Sequence, residues 1–122
     1  MSKPYIHARS SARKWGGKPE DYLHIHQWFD QTKACLADVR HRAILHSTFG
    51  IFLAEQVFGN TFTNSSGREV SVRDVGEQHV FEDLGNIPTI QDWLGELPIR
   101  EWMGKPTRLK EFISFKDKKG EN

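Results

Sequence analysis

Residues 38–59 read DVRHRAILHSTFGIFLAEQVFG, a charged, histidine-bearing head on an apolar body. Asp38 is an N-cap residue by type and Gly59 a stop, so the spacing predicts one helix over about 38–58. Its apolar residues, from Val39, Ala43, Ile44 and Leu45 through Phe49, Ile51, Phe52, Leu53, Ala54, Val57 and Phe58, occupy the whole helical circumference. Such a helix belongs at the centre of a bundle, covered on every side.

The neighbouring segments supply the cover. Residues 4–15 carry helix formers and stop at Gly16-Gly17. Pro19 in a first turn, with Glu20 and Asp21 near the positive end of the dipole, opens a second helix over about 19–36. After Gly59 the period changes: TFT and EVSV alternate apolar with polar residues about Asn64-Ser65-Ser66-Gly67, which predicts a β-hairpin near 61–72. Ser71 then caps a fourth helix running to Leu84, and the capping-box pattern from Thr89 to Asp92 opens a short fifth. Trp102 is expected to anchor the end of the core. The expected fold is mainly α: a compact bundle of about four to five helices with a small β-hairpin between helices three and four. It forms a single helical domain over 1–103, followed by a basic, partly disordered tail over 104–122.

With 122 residues the chain can bury one core without metal or disulfide, so a metal here need not be structural. A net charge of +1 gives no field favouring a polyanion or a membrane. The tail is the exception, with six basic against three acidic residues, and it supports nucleic-acid binding only weakly. Cys35 is alone, which fits a reducing compartment, and neither a leader nor a membrane span is visible. The expected location is cytoplasmic. Asn64-Ser65-Ser66 matches a glycosylation acceptor but reads as a turn in that setting.

Six histidines are many for this length. Successive helical residues are about 100° apart, so His41 and His46, five apart, diverge and cannot form the adjacent pair of His-Glu-x-x-His zinc enzymes. His26 lies one turn before Asp30 and His79 one turn before Asp83, so two helices each present imidazole with carboxylate. Nitrogen and oxygen donors of this kind suit zinc, iron, manganese or nickel, and helices of a bundle can bring them together. The candidate metal ligands are His26 and Asp30, His79 and Asp83, and one of His41 or His46, with His7 in reserve; zinc is the ion expected. Glu77 or Asp83 would handle protons, with Glu82 an alternative for Glu77.

Other signals point less far. Ser11-Ala12-Arg13-Lys14 has the spacing of acylating hydrolases without their companion motifs. Arg40-His41-Arg42 can receive phosphate, although pairing with Asp38 or with glutamates of adjacent helices is the simpler explanation. No phosphate-cradling glycine loop and no Cys-x-x-Cys occurs.

HARSSARKWGG, IHQWFD, DVRHRAILH followed by GIF, GREVSVRDVGEQHVFEDLGNIPTIQDWL and the closing WM occur in order. Over about residues 4–103 the chain resembles an uncharacterised family of small proteins of bacteria and bacteriophages, one without an assigned activity. The resemblance implies that His7, His26, Asp30, His41, His46 and His79 fill recurring polar positions, whereas His24 departs from the pattern. In architecture alone the bundle also resembles metal-dependent phosphohydrolases of the His-Asp class, whose adjacent His-Asp dipeptide is absent. Two functions therefore stand as expectations. One is a zinc-binding protein that hydrolyses a phosphodiester or nucleotide. The other is a non-catalytic interaction module, phage-encoded, that binds a host protein or small nucleotide.

Overall fold

The computed structural model describes residues 3–104; the basic tail expected from 105 onward lies outside them. Helix α1 (Pro4–Trp15) begins with proline in its first turn and ends at Gly16. Helix α2 (Glu20–Asp30) has Glu20 and Asp21 in its first turn, then tightens into a 3-10 turn at Gln31–Ala34. Its final α-helical residue, Asp30, is buried.

The segment expected to be one long helix is broken. A 3-10 turn (Val39–His41) leads into the single-turn α3 (Arg42–Leu45), and a second helix, α4 (Thr48–Phe58), starts afresh. Ser47 causes the break: its backbone is extended and its hydroxyl accepts from the Gly50 amide at 3.1 Å, a capping bond that competes with helix continuation. Gly50 is required at the join, because a methyl group there would overlap the Leu45 carbonyl. The join is also clamped from outside, where the Trp93 indole donates to the His46 carbonyl at 2.7 Å.

The break also changes the expected burial. Helix α4 buries only the stripe Gly50, Ile51 and Ala54, and leaves Phe49, Phe52 and Val57 exposed on its other face, so it is not covered on every side. Strands β1 (Thr61–Thr63) and β2 (Glu69–Ser71) form the antiparallel hairpin, pairing Phe62 with Val70. Asn64 is buried at its turn and donates to the Trp15 carbonyl and the Tyr22 hydroxyl, tying hairpin to α1 and α2.

Ser71 caps α5 (Val72–Leu84) by accepting from Asp74 N. Gly76 lets α5 approach α2 closely, since a Cβ there would come within 3.0 Å of the Phe29 ring. The reciprocal Thr89–Asp92 capping box opens α6 (Ile90–Leu94), and α7 (Glu101–Gly104) is one turn. Trp102 lies on that turn, which buries none of its residues, and is exposed instead of anchoring the core. The protein is thus mainly helical, with the hairpin between α4 and α5. Tyr22, Ile25 and Phe29 of α2 pack with Val72, Val75 and Val80 of α5 in the core. Among the described residues no helix is long and apolar enough to cross a membrane.

Two stability measurements check this account. Gly50→Ala is expected to cost about 3 kcal/mol or more in urea denaturation, because the added methyl meets rigid backbone. Asp21 accepts from the backbone amides of Lys18 and Ser65, and those bonds hold its carboxyl below the ordinary 3.8. A depressed folded pKa contributes stability that is present above the unfolded value and lost as pH falls through the folded one. The stability gap between wild type and Asp21→Asn is therefore expected at pH 7 and should close as the solution is acidified below pH 4.

Candidate metal centre

Four side chains converge between α2, the α3–α4 join and α5. Helix α5 contributes His79 and Asp83 from one face, one turn apart. Asp30 arrives from the end of α2, and His46 from the join, where the ψ of 69° ends α3. Each of the four offers one ligand atom within 4.8 Å of those of the others. His46 Nε2 is 2.9 Å from Asp83 Oδ2 and 3.7 Å from Asp30 Oδ1. His79 Nε2 is 3.2 Å from Asp30 Oδ1 and 3.4 Å from Asp83 Oδ2. All four side chains are buried.

Asp83 and His79 are backed by further side chains. His7 of α1 sets Nε2 3.1 Å from Asp83 Oδ1 and Nδ1 2.8 Å from Glu82 Oε1, while Ser10 donates to the other Glu82 oxygen. Arg42 brings a guanidinium nitrogen to 3.7 Å from Asp83 Oδ1. His26 stands behind His79, with the two Nδ1 atoms 2.9 Å apart, and its Nε2 is 2.8 Å from Ser11 Oγ. His41 lies to one side, with Nδ1 3.0 Å from Thr32 Oγ1. Asp30 Oδ2, His41 Nε2, Arg42 Nε and His46 Nδ1 are buried with no partner among the described residues.

Proton affinities follow from these contacts. Burial alone would raise Asp83, but hydrogen bonds from His46, His7 and His79 outweigh it and hold the carboxyl far below the usual range. Asp30 is likewise opposed by burial and ends low through His79. For His7, burial lowers the pKa, yet Asp83 and Glu82 together raise it above 6.5. For His26, burial followed by repulsion from His79 and His7 outweighs the attraction of Asp83 and pushes it down to about 2. Burial lowers His46 and His41 as well.

Asp30, His46, His79 and Asp83 are therefore brought together from the expected set. His7, His26 and His41 are placed around them, with both ring nitrogens of His7 and of His26 turned to protein partners. Asp30 meets His79 of another helix instead of His26, one turn away on its own. Asp83, expected to handle protons, stands among the ligand atoms. Glu77 bonds to Arg73 at 3.1 Å on the exposed side of α5, and two residues from His79 is about 200° round the helix. His24 is exposed, its ring against Phe58. Arg40 pairs with Asp38, as its spacing suggests. Gln78 carried no recognisable site signal, and Ser11 and Arg42 stood out only in the Ser-x-x-Lys and Arg-His-Arg patterns, since the contacts they make here run between helices.

The chain is thus a mainly helical domain with a buried His/Asp group that can hold a metal ion. It belongs to the family of a domain of unknown function, DUF6915, whose profile matches residues 2–103. Comparison with curated proteins and with solved structures gives no match.

The centre has a measurable structural consequence. In metal-free protein, Asp83→Leu leaves the buried Arg42 charge without its carboxylate and His7 with Glu82 alone, and is expected to lower stability by about 3–5 kcal/mol in urea denaturation.

Proposed function

We propose that this protein binds one divalent transition-metal ion, zinc by its donor set, through Asp30, His46, His79 and Asp83. The supporting observation is the spacing of the four atoms. Tetrahedral zinc with bonds of about 2.0–2.1 Å has ligand–ligand edges of about 3.3–3.4 Å. The separations of 2.9, 3.2, 3.4 and 3.7 Å bracket that edge. A purely hydrogen-bonded cluster explains them less well, because one His79 N–H cannot align with two carboxylate oxygens at once. Charge supports the same reading: two buried carboxylates converge on one point, and a cation there offsets their mutual repulsion.

Held by four buried ligands from three parts of the chain, such an ion acts first as a staple. Hydrolysis of a phosphodiester or nucleotide is the catalytic form of the proposal, and it needs a further coordination position. The role of interaction module for a host protein or small nucleotide keeps the same ion without chemistry. The exposed Phe49, Phe52 and Val57 of α4 are the observation that favours it.

Protein purified without chelator should contain close to one equivalent of zinc by elemental analysis, and Asp30→Ala or His46→Ala should contain almost none. At free zinc of about 100 times Kd the ion should stabilise the fold by about 2.7 kcal/mol, read as a fall in Tm when chelator is added. Wild type without stoichiometric metal, and indifferent to chelator, would refute the proposal. Chelator-sensitive cleavage of a phosphodiester would establish the hydrolase; full loading without turnover would leave the staple.

A further inference from the structure

We propose that Gln78, Ser11 and His26 form a hydrogen-bond relay that fixes the proton of His79 on Nδ1 and presents its bare Nε2 to the ion. This inference rests on the metal reading above. Every link follows from which atoms can donate.

Gln78 is buried, and its amide nitrogen donates to the His7 carbonyl at 2.9 Å and to Glu82 Oε1 at 3.0 Å. Both partners are pure acceptors, so the amide cannot be flipped, and its oxygen must face Ser11. The Ser11 hydroxyl has two further neighbours, Gln78 Oε1 and the His7 carbonyl at 3.1 Å, and both only accept. Its single proton is committed to that side. Towards His26, Ser11 Oγ can therefore only accept, so His26 carries its proton on Nε2.

His26 is fully buried and hydrogen-bonds to no carboxylate, so it is neutral and its Nδ1 is bare. The 2.9 Å contact between the two Nδ1 atoms needs one proton, and His79 must supply it. With that proton on Nδ1, Nε2 of His79, 3.2 Å from Asp30 Oδ1 and 3.4 Å from Asp83 Oδ2, is the nitrogen left to meet an ion between the two aspartates. Metal-bound histidines commonly have their other nitrogen fixed in this way, and losing the fixing partner costs about 10–100-fold in metal affinity. Here the fixing partner is a neutral imidazole of α2, itself fixed by Ser11 of α1 and, through it, by the amide of Gln78, which neighbours His79 on α5. Ser11, His26 and Gln78 are positioning residues, since none is a ligand of the ion.

The relay can be tested apart from the ion. Long-range 1H–15N spectra of the imidazoles in metal-free wild type should show His26 protonated on Nε2 alone and His79 protonated on Nδ1. A proton on His26 Nδ1 would overturn the relay even if zinc binds. In zinc competition with a chromophoric chelator, Ser11→Ala and His26→Phe should bind about 10–100-fold more weakly while still reaching one equivalent at saturation. His26→Gln offers an acceptor to His79 and a donor to Ser11, and should recover most of the affinity. Wild-type affinity in both Ser11→Ala and His26→Phe would refute the proposal. Should His26→Phe not fold, Ser11→Ala and the wild-type spectra still decide. Wild type that binds no zinc yet shows the stated tautomers would sink the metal reading and leave the relay standing.

Discussion

Two buried carboxylates, Asp30 and Asp83, face the same pair of imidazole nitrogens, and the surrounding architecture answers the constraint that this sets. Each aspartate ion out of water costs several kcal/mol after relaxation, so its oxygens must be matched by donors or cations. Asp83 is matched on one oxygen by His7 and Arg42 and on the other by His46 and His79. These partners come from α1, α3, the α3–α4 join and α5 itself. The polar centre and the packing of the helices are consequently one structural problem.

The break in the chain at His46–Ser47 solves part of it. A continuous helix would carry His46 round with its neighbours, whereas the stop after α3 and the restart at Thr48 put the imidazole opposite α5. Three local devices hold that geometry: the Ser47 cap, the close passage of Gly50 under the Leu45 carbonyl, and the Trp93 indole on the His46 carbonyl. The cost of the lost helical hydrogen bonds is offset by these contacts and by burial of Leu45 and Ile51 on either side of the join.

Much of the fold was legible because its punctuation is chemical. Gly16, Ser71, Thr89 and the alternation round Asn64 set element boundaries through capping and period alone. The Ser47 break was not legible, since Ser-Thr inside an apolar run is also compatible with a continuous helix, and only the approach of Leu45 to Gly50 decides otherwise. The same holds for the site. Spacing placed His79 and Asp83 on one stripe, but paired His26 with Asp30, because helical period reports neighbours on one helix and is silent across helices. The bond from Asp30 to His79 and the contact between His26 and His79 form only when α2 meets α5. The roles of Ser11 and Gln78 were illegible for that reason too, as they act on a proton's position only through His26.

Crystallography of natively purified protein, with anomalous data on both sides of the zinc edge, tests the central claim most directly. The account predicts one anomalous peak bonded to Asp30 Oδ1, His46 Nε2, His79 Nε2 and Asp83 Oδ2 at about 2.0–2.2 Å. A density map with no ion there, and the imidazoles hydrogen-bonded straight to the two aspartates, would contradict it.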